Sequence, residues 1–344
     1  MEMCPMSVRP FGVLSSGEQA YLYTIRCGEL EASVTNFGAT LVRLLVPDRA
    51  GNTADVVLGF ENAGAYENCD EFLGATVGRN ANRIAKASFR LGDTTYKLEP
   101  NNNGNNLHSG TNSYAFRMWQ VQEHTENSLS LILESPNGDQ GFPGNAKIRV
   151  TYTLENPGTL SITYDAVCDA DTVFNMTNHT YFNLAGHGSG DSALDQILSM
   201  SARVFAVADS QCLPTGEVRS VEGTPMDFRV PKALGRDIHA DYETLRLQGG
   251  YDHNFEVFCN PCAILSDPVS GRTMSVVTDC PGIQLYTANF LDADNGKDGV
   301  HYGKFSGVCL ETQYYPDAVN HPEWKQPVVK AGDRYHSVTK YIFS

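Results

Sequence analysis

The sequence has no long apolar run and few basic residues, and each shortage excludes a class of protein. The richest early apolar stretch, LVRLLV, is short and contains Arg43, whereas a membrane-spanning helix needs about 20 apolar residues. The chain of 344 residues has 25 basic and 40 acidic side chains, for a formal net charge of -15. Such an acidic protein repels phosphate backbones and anionic lipid. We therefore expect neither nucleic acid nor a membrane as a partner.

Signatures of common cofactor chemistry are also missing. The sequence contains neither GxxxxGK[ST] nor GxGxxG, the glycine-rich loops that hold phosphates and dinucleotides. It has no HExxH, and its CxxC, formed by Cys259 and Cys262, has no second pair with which to hold a structural zinc ion. We expect no cofactor and no metal.

The start of the chain and its cysteines both favour the cytoplasm. The first residues, MEMCPMSVRPFGVLSSGEQ, show no positively charged segment followed by an apolar run, so we expect no signal peptide. Nine cysteines are scattered along the chain, and an odd number does not suit a secreted domain whose cysteines are all paired. We interpret them as reduced, mostly buried thiols of a cytoplasmic protein.

Short strands dominate what the sequence does contain. Runs such as AKIRVTYTL, TLSITYDAV and GVCLETQYY are rich in Val, Thr, Ile and Tyr, and turn segments such as ENPGT and DPVSG separate such runs. Helical periodicity is confined to short stretches such as ENAGAYENC and DYETL. Strands that follow one another without intervening helices favour an antiparallel architecture over α/β. We predict an all-β protein, a large antiparallel β-sandwich with few short helices, in a single domain over residues 1–344.

Two of the predicted strands carry an unusual set of polar side chains. Because side chains alternate across a strand, FNMTNHTYFNLAG places His179 and Tyr181 on one continuously polar face. In GVCLETQYYP, Glu311 lies inside an apolar run, where a carboxylate is costly unless it is hydrogen-bonded or functional. The alternatives are a structural histidine whose hydrogen bonds are satisfied and an edge-strand glutamate in water. We favour a functional role for Glu311 in a concave polar cleft.

Three loops and a third strand add weaker candidates. Asp252 follows a Gly-Gly turn in GGYDHNF, where its carboxylate could accept hydrogen bonds from paired hydroxyl groups, although an Asx-turn would explain it equally. Gln284 in PGIQLYTANF suits sugar hydroxyls, but also many ordinary cores. Arg83 lies in the small-residue segment GATVGRNANRIAKASF, and His108 in the loop NNNGNNLHSG. None of these signals is specific alone.

Eight motifs occur together in a characteristic order. They are GRNANRI, NNLHSG, TNHTYFNLAG, LPTGEV, GTPMDFR, GGYDHNF, PGIQLYTANFLD and GVCLETQYYPDAVN. In this order they closely resemble the galactose mutarotase (aldose 1-epimerase) family, from about Thr35 to the C-terminus. The resemblance implies an all-β supersandwich and an isomerase that interconverts the α and β anomers of free hexoses such as galactose and glucose.

The resemblance also implies roles for individual residues. The glutamate of LETQ, Glu311, corresponds to the general base of the family, and the histidine of NHTYFNL, His179, to its general acid. The histidine of NLHSG, His108, corresponds to a residue that assists at the sugar ring. The positions that match substrate contacts are Asn82, Arg83, Tyr181, Asp252 and Gln284.

The sequence departs from the family pattern in three places. LHSG replaces the more usual LHGG, so that Ser109 occupies a glycine position beside His108. TNSYAFRMW differs from the common GFDKxxW, and Asn80 stands where hydrophobic or aromatic residues are frequent. None of these departures falls on the implied acid–base pair.

Anomer exchange can be performed by such a pair without a cofactor. A base removes the proton of the C1 hydroxyl while an acid protonates the ring oxygen. Acids and bases positioned in this way typically accelerate a reaction by about 10²–10⁴-fold. The expected partner is a free aldohexose, and we expect a monomer or weak homodimer. Two other functions stay open: a glycoside hydrolase with Glu311 and Asp252 as paired carboxylates, and a non-catalytic sugar-binding module. A hexose-6-phosphate mutarotase would need additional cationic residues at the cleft.

Overall fold

Antiparallel strands build nearly all of the protein, which is seen here in a computed structural model that describes residues 7–190 and 192–344. The strands of these residues are β1 Ser7–Val13, β2 Gln19–Cys27, β3 Leu30–Thr35, β4 Thr40–Pro47, β5 Thr53–Asp55, β6 Thr76–Val77, β7 Arg83–Ile84, β8 Ser88–Leu91, β9 Thr94–Lys97, β10 Asn106–Leu107, β11 Gln120–His124, β12 Ser128–Ser135, β13 Ala146–Glu155, β14 Thr159–Cys168, β15 Thr172–Val173, β16 Thr177–Asn178, β17 Tyr181–Phe182, β18 Ile197–Met200, β19 Val204–Ala208, β20 Pro214–Ser220, β21 Lys232–Ala233, β22 Asp252–Glu256, β23 Ala263–Ser266, β24 Thr273–Thr278, β25 Gly282–Tyr286, β26 Val308–Gln313, β27 Val328–Val329 and β28 Arg334–Phe343.

Helices are few and short within the described residues. The α-helices are α1 Ala63–Glu67 and α2 Glu243–Gln248. The 3₁₀ helices span Ala85–Ala87, Tyr114–Phe116, Asp139–Gly141, Ala193–Asp195, Leu234–Arg236, Lys297–Gly299 and Ala318–Asn320. The prediction of an all-β protein with few short helices is confirmed. In the described part of the chain, no helix combines the length and the apolar character that crossing a membrane requires.

Three large sheets hold the core. The nine-stranded sheet has the order β11-β12-β13-β14-β28-β24-β23-β18-β21, the six-stranded sheet β17-β26-β25-β22-β19-β20, and the five-stranded sheet β1-β2-β3-β4-β5. The predicted turn segments ENPGT and DPVSG each connect a hairpin, because β13 pairs antiparallel with β14 and β23 with β24. The single domain over residues 1–344 stays a prediction, and residues 1–6 and 191 lie outside the described part.

The nine-stranded and six-stranded sheets pack face to face, as predicted for a sandwich. The rings of Phe182 in β17 and Tyr341 in β28 lie 5.0 Å apart, and the Tyr341 hydroxyl donates a hydrogen bond to the carbonyl of Leu310 in β26. Val150 of β13 and Leu285 of β25 belong to the same buried apolar cluster. Burying each such side chain stabilises the fold by about 1.5–3 kcal/mol, so this interface fixes the position of β25 and β26.

The segment FNMTNHTYFNLAG is not the continuous strand that its alternation predicts. It contains β16 and β17, which belong to different sheets: β16 pairs with β6, and β17 with β26. Between and before these short strands the backbone bonds to the segment 74–81, with His179 N–H donating to the carbonyl of Ala75 and Asn175 N–H to that of Arg79. The chain here crosses from one sheet to another, and this crossing carries His179 to the end of β26.

A buried ion pair joins the five-stranded sheet to the turn at residues 297–299. The Lys297 ammonium lies 2.6 Å from the Asp55 carboxylate, and the two side chains are 3% and 4% exposed. Lys297 also donates hydrogen bonds to the carbonyls of Val42 and Val57, while Asp55 accepts one from the amide of Leu44. Both charges are therefore fully hydrogen-bonded inside the protein, which is the condition under which a buried pair is tolerated.

Asp55→Asn is expected to lower the free energy of unfolding by about 3–5 kcal/mol, because it leaves the Lys297 charge buried without its partner. Urea unfolding followed by circular dichroism measures the change. The matched control is Lys330→Met, which breaks an exposed pair with Asp171, whose side chains are 70% and 43% exposed, and should cost about 0–1 kcal/mol. Equal losses in the two variants would contradict the importance of the buried pair.

Candidate active site

A polar cavity of about 150 Å³ opens where β22, β25 and β26 meet the crossing segment and the loops around residues 70–83 and 107–108. Its lining is Asp70, Glu71, Phe72, Asn82, Arg83, Leu107, His108, His179, Tyr181, Cys212, Asp252, Tyr286, Phe290 and Glu311. Every site residue predicted from the sequence lines this cavity except Gln284. The structure therefore brings together side chains that are spread over most of the chain.

Strand register explains the arrangement of the cavity floor. Gln284 of β25 lies opposite Glu311 of β26 on one side and opposite Asn254 of β22 on the other. One row along, Tyr286 and Tyr181 both lie opposite Cys309. Because side chains two residues apart on a strand share a face, the two rows place carboxylate, amide, phenol and thiol groups on one surface.

Glu311 is a buried carboxyl group that lacks hydrogen-bond partners. Its residue is 2% exposed, and its Oε2 atom has no partner in the described part of the protein. Its Oε1 atom lies 3.7 Å from Nε2 of His179. Burial raises the pKa of Glu311 well above its ordinary value, the nearby Asp252 raises it further, and Arg83 opposes the shift. The carboxyl group thus has a free oxygen that can hydrogen-bond to a ligand or take a proton from it.

His179 is held between aromatic rings beside Glu311. Its imidazole stacks on Tyr181 with ring centroids 5.1 Å apart and lies 6.1 Å from Phe72. Its Nδ1 atom is 3.6 Å from the thiol sulfur of Cys309. Burial lowers the pKa of His179 to about 4, so the imidazole is neutral at pH 7 before any ligand binds. The ring is fixed in position with Nε2 directed at the carboxyl group.

The tautomer of His108 follows from one hydrogen bond. The backbone N–H of Asn82 donates to His108 Nδ1 over 3.2 Å, and since a backbone N–H can only donate, Nδ1 carries no proton. Burial, together with His179 and Arg83, holds the pKa of His108 well below its ordinary value. His108 is therefore a neutral imidazole whose proton lies on Nε2, available as a hydrogen-bond donor.

Two departures from the family pattern, Ser109 and Asn80, contact each other. Ser109 has φ 69°, in the left-handed region that glycine favours, and its neighbour His108 has φ 49°. The Ser109 hydroxyl accepts a hydrogen bond from the backbone N–H of Asn80 over 2.8 Å and donates one to the backbone carbonyl of Asn80 over 3.0 Å. These two bonds offset the strain of a serine at a glycine position and fasten the His108 loop to the segment before Asn82.

Gln284 lies behind the cavity and holds one of its walls. Its Nε2 donates to Oδ1 of Asp252 over 2.7 Å, and its own Oε1 accepts from Asn254 over 3.2 Å. Burial raises the pKa of Asp252, while Arg83, the Gln284 bond and Cys212 lower it. The substrate contact expected of Gln284 stays a prediction, and in this geometry its side chain orients Asp252.

Several lining residues carried no usable sequence signal. Phe72 lies 4.7 Å from the ring of His108, and the Tyr181 hydroxyl donates to the backbone carbonyl of Glu71. Burial, with Asp70 and Asp292 nearby, raises the pKa of Glu71 to about 7. These residues come from the stretch CDEFLG, which has neither strand alternation nor a catalytic motif. Tyr286 is the exception, since it lies two residues after Gln284 on the same face.

Comparison with known proteins gives one consistent result. Residues 21–342 match the family profile described as aldose 1-epimerase. The galactose mutarotase of Mus musculus is 40% identical over 340 residues, which cover 97% of each chain. The aldose 1-epimerase of Haemophilus influenzae is 38% identical over 314 residues, covering 90% of this chain and 91% of that protein.

Solved structures agree with the sequence matches. An aldose epimerase homologue from C. elegans superimposes with a TM-score of 0.88 at 33% identity, covering 94% of this chain and 99% of that chain. A galactose 1-epimerase from Lactobacillus acidophilus gives a TM-score of 0.86 at 26% identity, covering 99% of this chain and 98% of that chain. The sandwich and its extent are therefore the same as in these proteins.

Ser109→Ala should destabilise the protein more than Ser109→Gly. Both variants lose the two bonds to Asn80, worth about 1–3 kcal/mol together, but only glycine also relieves the left-handed backbone, by about 1 kcal/mol. Urea unfolding of both variants measures the difference. A larger loss in Ser109→Gly would contradict the explanation of how serine is tolerated at this position.

Proposed function

Because this chain belongs to the aldose 1-epimerase family, we propose that the cavity opens and recloses the ring of free aldohexoses such as galactose and glucose. The product is the other anomer at C1, so the protein is a mutarotase, an isomerase. The observation that carries the proposal is the buried carboxyl group of Glu311. Its Oε2 atom is free of hydrogen bonds among the described residues, and its Oε1 atom lies 3.7 Å from Nε2 of His179. This is the pair of groups that ring opening requires.

The reaction needs one proton on the pair. The shared proton first passes from Glu311 to His179 across the 3.7 Å between them. In ring opening the Glu311 carboxylate then takes the proton of the C1 hydroxyl while protonated His179 gives its proton to the ring oxygen. The C1–C2 bond then rotates, and the pair, now with the proton on Glu311 and a neutral His179, closes the ring on the other face by the reverse transfers. The pair returns to its starting state, so no cofactor is consumed.

The environment of the pair favours this two-way use. In water a histidine holds a proton more tightly than a glutamate by about 2 pKa units. Here burial raises the pKa of Glu311 and lowers that of His179, so both shifts oppose the preference of the shared proton for the histidine. Proton transfer in either direction is then less uphill, as suits a reversible isomerisation.

The other lining groups orient the sugar. Asp252 and Asn82 offer acceptors for sugar hydroxyls, Arg83 offers donors, and His108 offers its Nε2–H. Tyr181 contributes by stacking on the acid, His179. Holding the ring between fixed groups converts the proton transfers into steps within one complex, which lowers their entropic cost.

The setting of the protein is part of the proposal. We infer a cytoplasmic monomer or weak homodimer that acts on a free sugar. Every cysteine in the described part of the chain is free, which supports a reducing compartment; Cys4 lies outside that part. Neither the hydrolase nor the binding module is favoured by a specific contact in the cavity.

Glu311→Gln should lower kcat for mutarotation of α-galactose by about 10²–10⁴-fold, because an amide of the same shape cannot take the C1 hydroxyl proton. Polarimetry measures the rate, and circular dichroism shows that the fold is intact. The matched control is Glu256→Gln, which changes an exposed glutamate at the end of neighbouring β22 and should keep the wild-type rate.

An unchanged rate in the Glu311→Gln variant would rule out Glu311 as the base. Release of nitrophenol from an aryl galactoside, with no effect on free-sugar rotation, would indicate a hydrolase. Sugar binding by calorimetry without any rate enhancement would indicate a binding module.

The pH profile of kcat/KM should have its acid limb near pH 4 and no inflection near the ordinary histidine value of about 6.5. The pair takes up a second proton only below the lowered pKa of His179, which is about 4. The raised pKa of Glu311 means that the pair loses its last proton only at higher pH. Activity requires a pair that holds one proton, so it extends between these limits. Polarimetry corrected for the uncatalysed rate gives the profile, and an acid limb near pH 6.5 would contradict it.

A further inference from the structure

The floor of the cavity holds three groups that are also good ligands for a soft divalent cation. A thiol sulfur of Cys309, an imidazole nitrogen of His179 and a carboxylate oxygen of Glu311 lie within 4.8 Å of one another. We propose that these three side chains bind Zn²⁺, and that the bound ion competes with the sugar and inhibits the protein. The site goes beyond the proposed reaction, in which no metal takes part.

The spacing of the donor atoms suits a tetrahedral ion. Zinc bonds of about 2.0–2.3 Å place neighbouring ligand atoms about 3.3–3.7 Å apart. His179 Nε2 lies 3.7 Å from Glu311 Oε1, and His179 Nδ1 lies 3.6 Å from Cys309 Sγ. Since a metal takes only one imidazole nitrogen, and the three donor atoms lie within 4.8 Å of one another, the side chains must rotate to bring all three onto one ion.

A second observation points to a ligand at the same place. Glu311 is 2% exposed, and its Oε2 has no partner among the described residues, so this oxygen is available to a cation. His179 and Glu311 line the cavity, which gives the ion a route from solvent, and Cys309 is fully buried beside them. Three protein ligands leave the fourth position of the ion toward the cavity, for water.

The donor set also selects the ion. Sulfur and imidazole ligands favour Zn²⁺, whereas Mg²⁺ prefers oxygen ligands and retains its waters. Zinc binds the thiolate form of cysteine and the ionised form of a carboxyl group. The Cys309 proton and the one proton of the Glu311–His179 pair therefore pass to solvent as the ion binds, and nothing is oxidised or reduced. The ion would occupy both members of the acid–base pair, which explains inhibition without any change in fold.

Calorimetric titration of the full chain with ZnCl₂ in a non-chelating buffer tests the site directly. Wild type should bind one ion, and added galactose should weaken this binding. Cys309→Ala should weaken the zinc affinity at least tenfold. The control Cys212→Ala removes a thiol that lines the cavity but lies outside the trio, and Cys259→Ala removes an exposed one; both should keep the sugar-sensitive binding. MgCl₂ should not bind there.

The rate of mutarotation is measured with added zinc, for each variant relative to its own rate without metal. In wild type, zinc should inhibit in competition with the sugar. In Cys309→Ala, the zinc concentration needed for the same inhibition should be at least tenfold higher. Wild-type zinc affinity in Cys309→Ala, or zinc binding that sugar does not affect, would overturn the proposal. The zinc affinities of wild type and Cys309→Ala, measured without sugar, depend neither on activity nor on sugar binding, so failure of the zinc site and failure of the proposed function are distinguishable.

A measurement on the unmodified protein covers the case in which Cys309→Ala folds poorly. X-ray absorption of the one-zinc complex should show one sulfur ligand at about 2.3 Å and nitrogen or oxygen ligands for the rest. A first shell of nitrogen and oxygen alone, or of two or more sulfurs, would overturn the assignment of the ion to this trio.

Discussion

The burial of Glu311 without a hydrogen-bond partner among residues 7–190 and 192–344 is the constraint on which the site depends. A carboxyl group at 2% exposure would normally be satisfied by neighbouring donors, because desolvation without compensation costs several kcal/mol. Here β26 is buried along its whole length, fixed by the sandwich core on one side and covered by the cavity loops on the other. Packing thus maintains an unsatisfied group, and a substrate hydroxyl can supply the missing interaction.

The same constraint accounts for the pKa pattern around the cavity. Removing water raises the pKa of an acid and lowers that of a base, so one structural cause acts in opposite directions on Glu311 and His179. The supporting contacts keep this environment fixed: Asn82 sets the tautomer of His108, and Gln284 holds Asp252. Strained backbone at Asn82, His108 and Ser109 lies at these contacts, where surrounding hydrogen bonds offset it.

Much of the fold and of the site could be read from the sequence, for identifiable reasons. Hairpins such as β13–β14 follow from local alternation and turn residues, which depend on few distant contacts. Glu311 was recognisable because a carboxylate in an apolar run violates a local rule, and such violations concentrate at functional sites. Alternation predicts one strand for the segment around His179, and this prediction is wrong, because alternation cannot show that two short strands pair with different partners.

The sequence by itself determined the strand content, the order of the motifs and the identity of the acid–base candidates, since these reside in side-chain type and local period. Only the tertiary structure decided how those groups meet. It placed Cys309 beside His179 across 130 residues of chain, hydrogen-bonded Gln284 to Asp252, and added Phe72 and Glu71 to the lining. Burial, and with it each shifted pKa, depends on what covers a residue in space, and that information is distributed over the whole chain.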